Sequence, residues 1–172
     1  MNVLIFGSNG QVGFSLKENL SKQIIPIYRQ DCDLMNLDKI KETIDLYKPD
    51  LVINAAAYTK VDQAEIEKDI AFRVNSDAPK VMAQKTFEHG IPFVHFSTDY
   101  VFDGKKKRAY TEKDSTSPLG VYGASKLSGE EEIQKIDGSF FIFRTSWVYS
   151  KIGQNFYLTI NRLAQEKEQL NV

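Results

Sequence analysis

Residues 2–13 read Asn2-Val3-Leu4-Ile5-Phe6-Gly7-Ser8-Asn9-Gly10-Gln11-Val12-Gly13. Asn2 to Phe6 is a short apolar run, too brief and too β-branched for a helix, which suits a buried strand. Three glycines follow at once in the spacing G-x-x-G-x-x-G, and Phe14 to Leu20 then shows helical spacing. Strand, glycine turn and helix in that order form the context a dinucleotide-binding fingerprint requires. Gly7 permits the tight turn, Gly10 lets backbone approach a pyrophosphate, and Gly13 lets the helix pack close to the sheet. Phosphates would sit at the positive end of that helix, against free backbone N–H groups. A glycine turn that serves packing alone explains the same pattern, which is not the commoner G-x-G-x-x-G.

Strands and helices keep alternating beyond this point. Gln23 to Tyr28 reads as a second strand, Leu51 to Ile53 as a third, Pro92 to Phe96 as a fourth and Ser139 to Arg144 as a further one. Between them, Asn36 is placed to cap a helix from Leu37 to Tyr47 that ends at Lys48-Pro49. A long helical region spans Gln63 to His89, kinked or split by Pro79. Residues 101–120 read as a charged loop, with room for a short extended pair around Val101 and Tyr110. Asn155 to Lys167 is an amphipathic helix with Phe156, Ile160, Leu163 and Ala164 inward, and Leu170-Asn171-Val172 looks like the start of another strand. The alternation predicts an α/β fold with a doubly wound parallel sheet of Rossmann type, one domain over residues 1–172.

In such sheets ligands bind at the carboxyl ends of the strands. After the second strand a ribose-binding carboxylate would be expected, yet Arg29 stands there. A guanidinium at that point suits a 2′-phosphate and favours NADPH over NADH. A surface arginine, with Asp31 or Asp33 reaching the adenosine, is the alternative, so NADH stays possible. After the fourth strand come Ser97-Thr98-Asp99-Tyr100, where the Thr98 hydroxyl can donate to a carbonyl on which charge develops. The same residues make an ordinary turn or helix cap.

Val121-Tyr122-Gly123-Ala124-Ser125-Lys126 opens a helix expected to run to Ile136. Tyr122 and Lys126, four apart, lie on one helical face. A phenol becomes a useful acid or base at neutral pH when a nearby ammonium stabilises its anion. On a solvated helix the same pair is merely two surface side chains. Trp147, the one tryptophan, falls just past the last strand, placed to stack on a ring or fill a gap in the core.

Composition narrows the classes. The net charge of −1 over 172 residues and the lack of a broad basic face argue against a nucleic-acid surface. The stretch MNVLIFGSNG lacks the charged n-region and long apolar core of a secretory signal, no apolar stretch is long enough for a membrane, and the single cysteine, Cys32, suits a reducing compartment, so a cytoplasmic protein is expected. The two histidines, His89 and His95, stand six apart without cysteine neighbours and read as surface or satisfied core residues rather than metal ligands.

Taken in order, five pieces of the sequence resemble the extended short-chain dehydrogenase/reductase family. They are residues 7–13, 54–62 (Asn54 to Asp62), 97–104, 117–126 and 144–149. Within that family the resemblance is to reductases of nucleotide-linked 4-keto sugars, and it covers the whole chain. It implies that Tyr122 is the general acid, that Lys126 lowers its pKa and holds the nicotinamide ribose, and that Thr98 polarises the carbonyl. It implies cofactor contacts at Gln11 and Val12, at Asp33 and Leu34 on the adenine side, and at Ala57, Tyr58 and Thr59 beneath the pyrophosphate and nicotinamide. Asp99 and Trp147 match positions near the sugar. The reaction implied is hydride transfer from NADPH to a keto carbon of a nucleotide-sugar substrate.

Two departures bear on this reading. Some members carry an acidic residue two positions after the third glycine, where it helps bind magnesium between subunits. Ser15 stands there in this chain, which leaves magnesium in doubt and the oligomeric state open. Members also continue into a C-terminal region that builds most of the sugar pocket, so the chain is expected to be the cofactor-binding portion of a longer enzyme. Two other readings share the scaffold: an NAD-dependent sugar-nucleotide epimerase or dehydratase, and a nonenzymatic NADP-binding regulatory subunit.

Overall fold

The computed structural model describes residues 1–167, 169 and 170. Strands β1 (Asn2–Phe6), β2 (Gln23–Ile27), β3 (Leu51–Asn54), β4 (Phe93–Thr98) and β5 (Phe140–Thr145) form one sheet in the order β2-β1-β3-β4-β5. Every pairing is parallel. Parallel neighbours need crossovers, which are supplied by α1 (Gln11–Asn19), α2 (Leu37–Tyr47), a broken run of α3 (Val61–Ala64), α4 (Lys68–Phe72) and α5 (Ala78–Glu88), and α6 (Val121–Gln134). Helix α7 (Phe156–Glu166) follows β5. The winding reverses at β1, between β2 and β3, and a doubly wound sheet opens its ligand crevice at such a point.

β1 is buried on both faces, which is why its sequence is continuously apolar. Leu4 and Phe6 face one side with Val52 and Phe93, under Ile40 and Ile44 of α2, Met82 of α5 and Ile133 of α6. Val3 and Ile5 face the other with Ile53, packed against Leu16 and Leu20. Burying each such side chain contributes about 1.5–3 kcal/mol, so the strand that presents the glycine turn is among the most firmly held parts of the molecule.

Several elements differ from expectation. β4 continues through Ser97 and Thr98, which pair with Arg144 and Thr145 of β5; Thr98 is thereby fixed by the sheet rather than by a loop. The long helix is broken more than once: α3 stops at Ala64, and a π turn over Arg73–Asp77 precedes α5. Pro79 stands in the first turn of α5, two residues past the π turn, so the helical run is interrupted beside it, as expected. No strand pair forms in residues 101–120. That loop is held by side chains: the Phe102 and Tyr110 rings stack at 4.2 Å, the Tyr110 hydroxyl donates to Asp103 at 2.7 Å, and Lys106 pairs with Asp114.

Helix α7 has no buried residue; Ile160 and Leu163 are half-buried, while Phe156 and Ala164 are exposed. Its start is tied to the glycine turn, since the Asn155 amide donates to the Gln11 side chain at 2.9 Å. Of the strand expected at 170–172, Asn171 and Val172 lie outside the described residues, and Leu170 belongs to no strand. Among the described residues no helix is long and apolar enough to cross a membrane.

Candidate active site

Gly7 adopts a φ of +77°, and a Cβ on it would lie 2.6 Å from the Ala56 nitrogen. A Cβ on Gly13 would lie 2.3 Å from the Gly7 carbonyl oxygen. Both glycines are therefore demanded by packing of the turn itself. Gly10 differs: its Cβ would meet nothing closer than the Gly7 oxygen, at 3.4 Å. Gly10 lines the cleft and caps α1 with no side chain, and the first turn of that helix carries no acidic residue. What its bareness leaves open is the approach to a helix N-terminus from the cleft, the geometry that suits a phosphate. The residues present thus fit a dinucleotide.

The cleft measures about 1120 Å³ and runs along the carboxyl ends of the strands. It begins at Gly7, Gly10, Gln11 and Val12, passes Arg29, Asp33 and Leu34 on one flank and Ala57, Tyr58 and Thr59 on the other, and reaches Thr98, Asp99, Tyr122, Lys126 and Trp147. Of the residues singled out in the sequence for cofactor or substrate, Asp31 and Gly13 do not line it, and Gly13 is sandwiched between helix and turn. Arg29 and Asp33 are paired, Nε to Oδ2 at 3.1 Å. The Met35 N–H and then this guanidinium hold the Asp33 carboxyl below its usual range. Trp147 fills no gap in the core: it is 76% exposed, has a φ of +50°, and meets Phe156 edge-on at 5.4 Å.

At the far end, Thr98 donates to Asp99 at 3.3 Å, and the half-buried Tyr122 ring lies edge-on to Tyr100 at 5.5 Å. Burial pushes the Tyr122 phenol above its ordinary value, contact with the Thr98 hydroxyl pulls it down, and Asp99 and Tyr100 push it up again. Lys126 makes no hydrogen bond to the phenol in this arrangement. Its Nζ is buried and bonds instead to the Phe96 carbonyl at 2.6 Å and to His95 Nε2 at 3.1 Å. Burial lowers Lys126 to about 7, opposed only by Glu130 one turn further along α6. An amine near neutrality is a weaker electrostatic partner than a permanent ammonium.

Positioning groups that no motif marks surround this pair. Asn75, on the π turn, accepts from the Tyr58 N–H at 2.9 Å and donates to the Tyr58 carbonyl and to Ser125 on α6, both at 3.0 Å. One buried amide thus fixes the cleft wall and α6 together. The Glu65 carboxylate accepts from the Val121 N–H at 2.7 Å and caps α6 immediately before Tyr122. Glu130 is buried and makes a two-pronged pair with Arg144 of β5. His89 pairs with Asp45 at the surface, at 2.7 Å. Among the described residues no three of the His, Cys, Asp and Glu side chains cluster as a metal site would need.

A parallel doubly wound sheet, a glycine turn at its first helix and a hydroxyl–phenol–amine group at the strand ends define a Rossmann-type α/β protein with a built ligand cleft. The chain belongs to the family described as the RmlD substrate binding domain, whose model matches residues 1–172. It is 44% identical over 174 aligned residues to the dTDP-4-dehydrorhamnose reductase of Burkholderia thailandensis, covering all of this chain and 58% of the relative. The dTDP-4-dehydrorhamnose reductase of Escherichia coli K12 is 42% identical, again over the whole chain and 60% of its own length. Among solved structures, the Bacillus anthracis dTDP-4-dehydrorhamnose reductase in complex with NADP superposes with a TM-score of 0.94 at 38% identity, covering 98% of this chain and 61% of that one. The chain therefore spans about three fifths of the length of these relatives.

Proposed function

We propose that the protein carrying this chain reduces dTDP-4-dehydro-β-L-rhamnose to dTDP-L-rhamnose with NADPH, supplying a sugar precursor for cell-surface polysaccharide. Residues 1–172 are its cofactor-binding portion. The observation that carries the reading is one cleft holding the bare Gly10 turn at one end and Thr98, Tyr122 and Lys126 at the other. The names of the relatives support the substrate, and the NADP complex of the Bacillus anthracis relative supports the cofactor.

NADPH, when bound, supplies a hydride to the keto carbon. Thr98 donates a hydrogen bond to the keto oxygen as negative charge grows on it. Tyr122 gives that oxygen its proton, and a phenol raised above its ordinary value still holds the proton at neutral pH, as an acid must. Lys126 bonds the ribose next to the nicotinamide. Gln11 and Val12 present N–H groups to the pyrophosphate, Arg29 pairs with the 2′-phosphate, and Asp33 and Leu34 border the adenine side. Ala57, Tyr58 and Thr59 support the pyrophosphate and nicotinamide from below, and Asp99 and Trp147 contact the sugar. A buried free thiol at Cys32 fits a cytoplasmic location.

Incubating the full-length protein with NADPH and dTDP-4-dehydrorhamnose tests this, with formation of dTDP-L-rhamnose expected. Unreacted ketone together with tightly retained NAD⁺ would favour an epimerase or dehydratase. Unreacted ketone with a stoichiometric enzyme partner would favour a regulatory subunit.

A further inference from the structure

The side chain that Lys126 meets inside the protein raises a question of proton count. Asn54, His95 and Lys126 form a buried chain: Asn54 Nδ2 lies 3.2 Å from His95 Nδ1, and His95 Nε2 lies 3.1 Å from Lys126 Nζ. All three residues are essentially excluded from water. The orientation of the Asn54 amide is fixed from outside the chain, because its Oδ1 accepts the Ala56 backbone N–H at 3.1 Å. A backbone N–H can only donate, so the Asn54 NH₂ is the end that faces the imidazole. His95 Nδ1 is therefore an acceptor and carries no proton.

A neutral imidazole holds one N–H, and with Nδ1 bare that proton is on Nε2, aimed at Lys126. An ammonium has three donors and no acceptor, so it would set N–H against N–H in a dry site. A neutral amine has a lone pair and satisfies every group: it accepts from His95 and donates to the Phe96 carbonyl at 2.6 Å. An imidazolium fails too, because its Nδ1–H would oppose the Asn54 NH₂. The other charged group that bears on the amine is Glu130, one turn away on α6, and its charge is already neutralised by Arg144 of β5.

We propose that His95 is a positioning residue that holds Lys126 as a neutral amine, through an imidazole whose tautomer is set by Asn54 and the Ala56 backbone. The purpose rests on the reading of Lys126 as the ribose-binding group. An amine that turns from His95 to a ribose hydroxyl loses the donor that kept it neutral, so ribose contact and proton uptake become one event. Burial works in the same direction, lowering His95 well below its ordinary value and Lys126 to about 7. Asn54 also joins the device to the glycine turn, since Ala56 is the residue against which Gly7 packs.

The test is read without nucleotide or sugar, so its failure is separable from failure of the reductase reading. Long-range ¹H–¹⁵N spectra of the full-length protein, at pH 6 to 8, are expected to show His95 protonated at Nε2 and bare at Nδ1. The ¹³Cε shift of Lys126 is expected to titrate near neutrality. In His95→Phe that midpoint rises by about one pH unit or more as the donor is lost, and in His95→Gln, whose amide can still donate, it stays near the wild-type value. An Nδ1–H tautomer, an imidazolium, a Lys126 that remains an ammonium at pH 9, or an unmoved midpoint in His95→Phe overturns the proposal. If the variants do not fold, the wild-type tautomer alone decides it.

Discussion

Lys126 Nζ donates to the carbonyl oxygen of Phe96 at 2.6 Å, and through that contact α6 is pinned to the strand that ends in Thr98. The relationship joins two stretches that lie 30 residues apart in sequence. It means that the hydroxyl and the phenol of the cleft keep their spacing because an amine beneath them is bonded to sheet backbone. A lysine with two buried partners is part of the scaffold as well as of the site.

Tyr122→Phe removes the proton donor while keeping the ring against Tyr100. In the full-length protein kcat is expected to fall about 100-fold or more, with NADPH affinity near wild type. Stopped-flow turnover and fluorescence titration measure the two separately. A kcat within a few-fold of wild type would take the phenol out of the mechanism.

The glycine turn predicts opposite behaviour at two positions three residues apart. Gly13→Ala would drive a methyl into the Gly7 carbonyl and is expected to cost several kcal/mol or prevent folding, as overpacking does, about 1–3 kcal/mol and more against rigid backbone. Gly10→Ala has only a 3.4 Å contact to tolerate and should leave denaturant stability within about 1 kcal/mol, the ordinary range for a substitution with no buried clash. Its NADPH affinity should nevertheless drop at least tenfold, because the methyl occupies the phosphate approach. Equal affinity in Gly10→Ala would mean that the turn serves packing alone.

Arg29 is well exposed, and its pair with Asp33 contributes little to stability. Arg29→Ala should therefore leave the melting temperature unchanged while weakening NADPH about 10- to 100-fold, the scale of one charge-assisted bond to phosphate of about 1.5–3 kcal/mol. NADH should be affected much less. Calorimetric titration with both nucleotides checks this, and equal losses would assign Arg29 a structural part.

Burial lowers both Lys126 and His95, so for each the unfolded chain binds more protons than the folded one. Stability then rises with pH between about 7, the folded value for Lys126, and its unfolded value near 10.4, at up to about 1.4 kcal/mol per pH unit for one proton. Below pH 6.5 the His95 contribution is progressively lost as the unfolded imidazole takes up its proton. Urea midpoints measured from pH 7.5 to 9.5 should rise in the wild type and flatten in Lys126→Met. A flat wild-type profile would contradict a buried, near-neutral amine.

How much of this was legible in the sequence depends on whether the relevant force was local. The β1–turn–α1 unit was readable because each glycine answers to contacts within its own turn or with the strand beside it. The Asn36 cap and α2 were readable for the same reason, and the structure shows Asn36 accepting from the Lys39 N–H at 3.0 Å. The break at Arg73–Asp77 was readable only in part, from Pro79 two residues beyond it. It exists where Asn75 turns inward to Tyr58 and Ser125, partners 17 and 50 residues away. β4 was placed two residues short because Ser97 and Thr98 look like turn chemistry, and only pairing with Arg144 and Thr145 keeps them extended. His95 reads as one inward position of an alternating strand, and nothing local tells that its neighbours are an amide on β3 and an amine on α6.

The central claim, that this cleft passes a hydride from a reduced pyridine nucleotide to a sugar ketone, is tested most directly with isotope. The full-length protein is incubated with dTDP-4-dehydrorhamnose and NADPH doubly deuterated at the nicotinamide C4, and the sugar is examined by mass spectrometry and NMR. One deuterium at C4 of dTDP-L-rhamnose, lost in parallel with turnover in Tyr122→Phe, is the predicted result. Conversion of the sugar without deuterium transfer, or no sugar-dependent oxidation of NADPH, would contradict it.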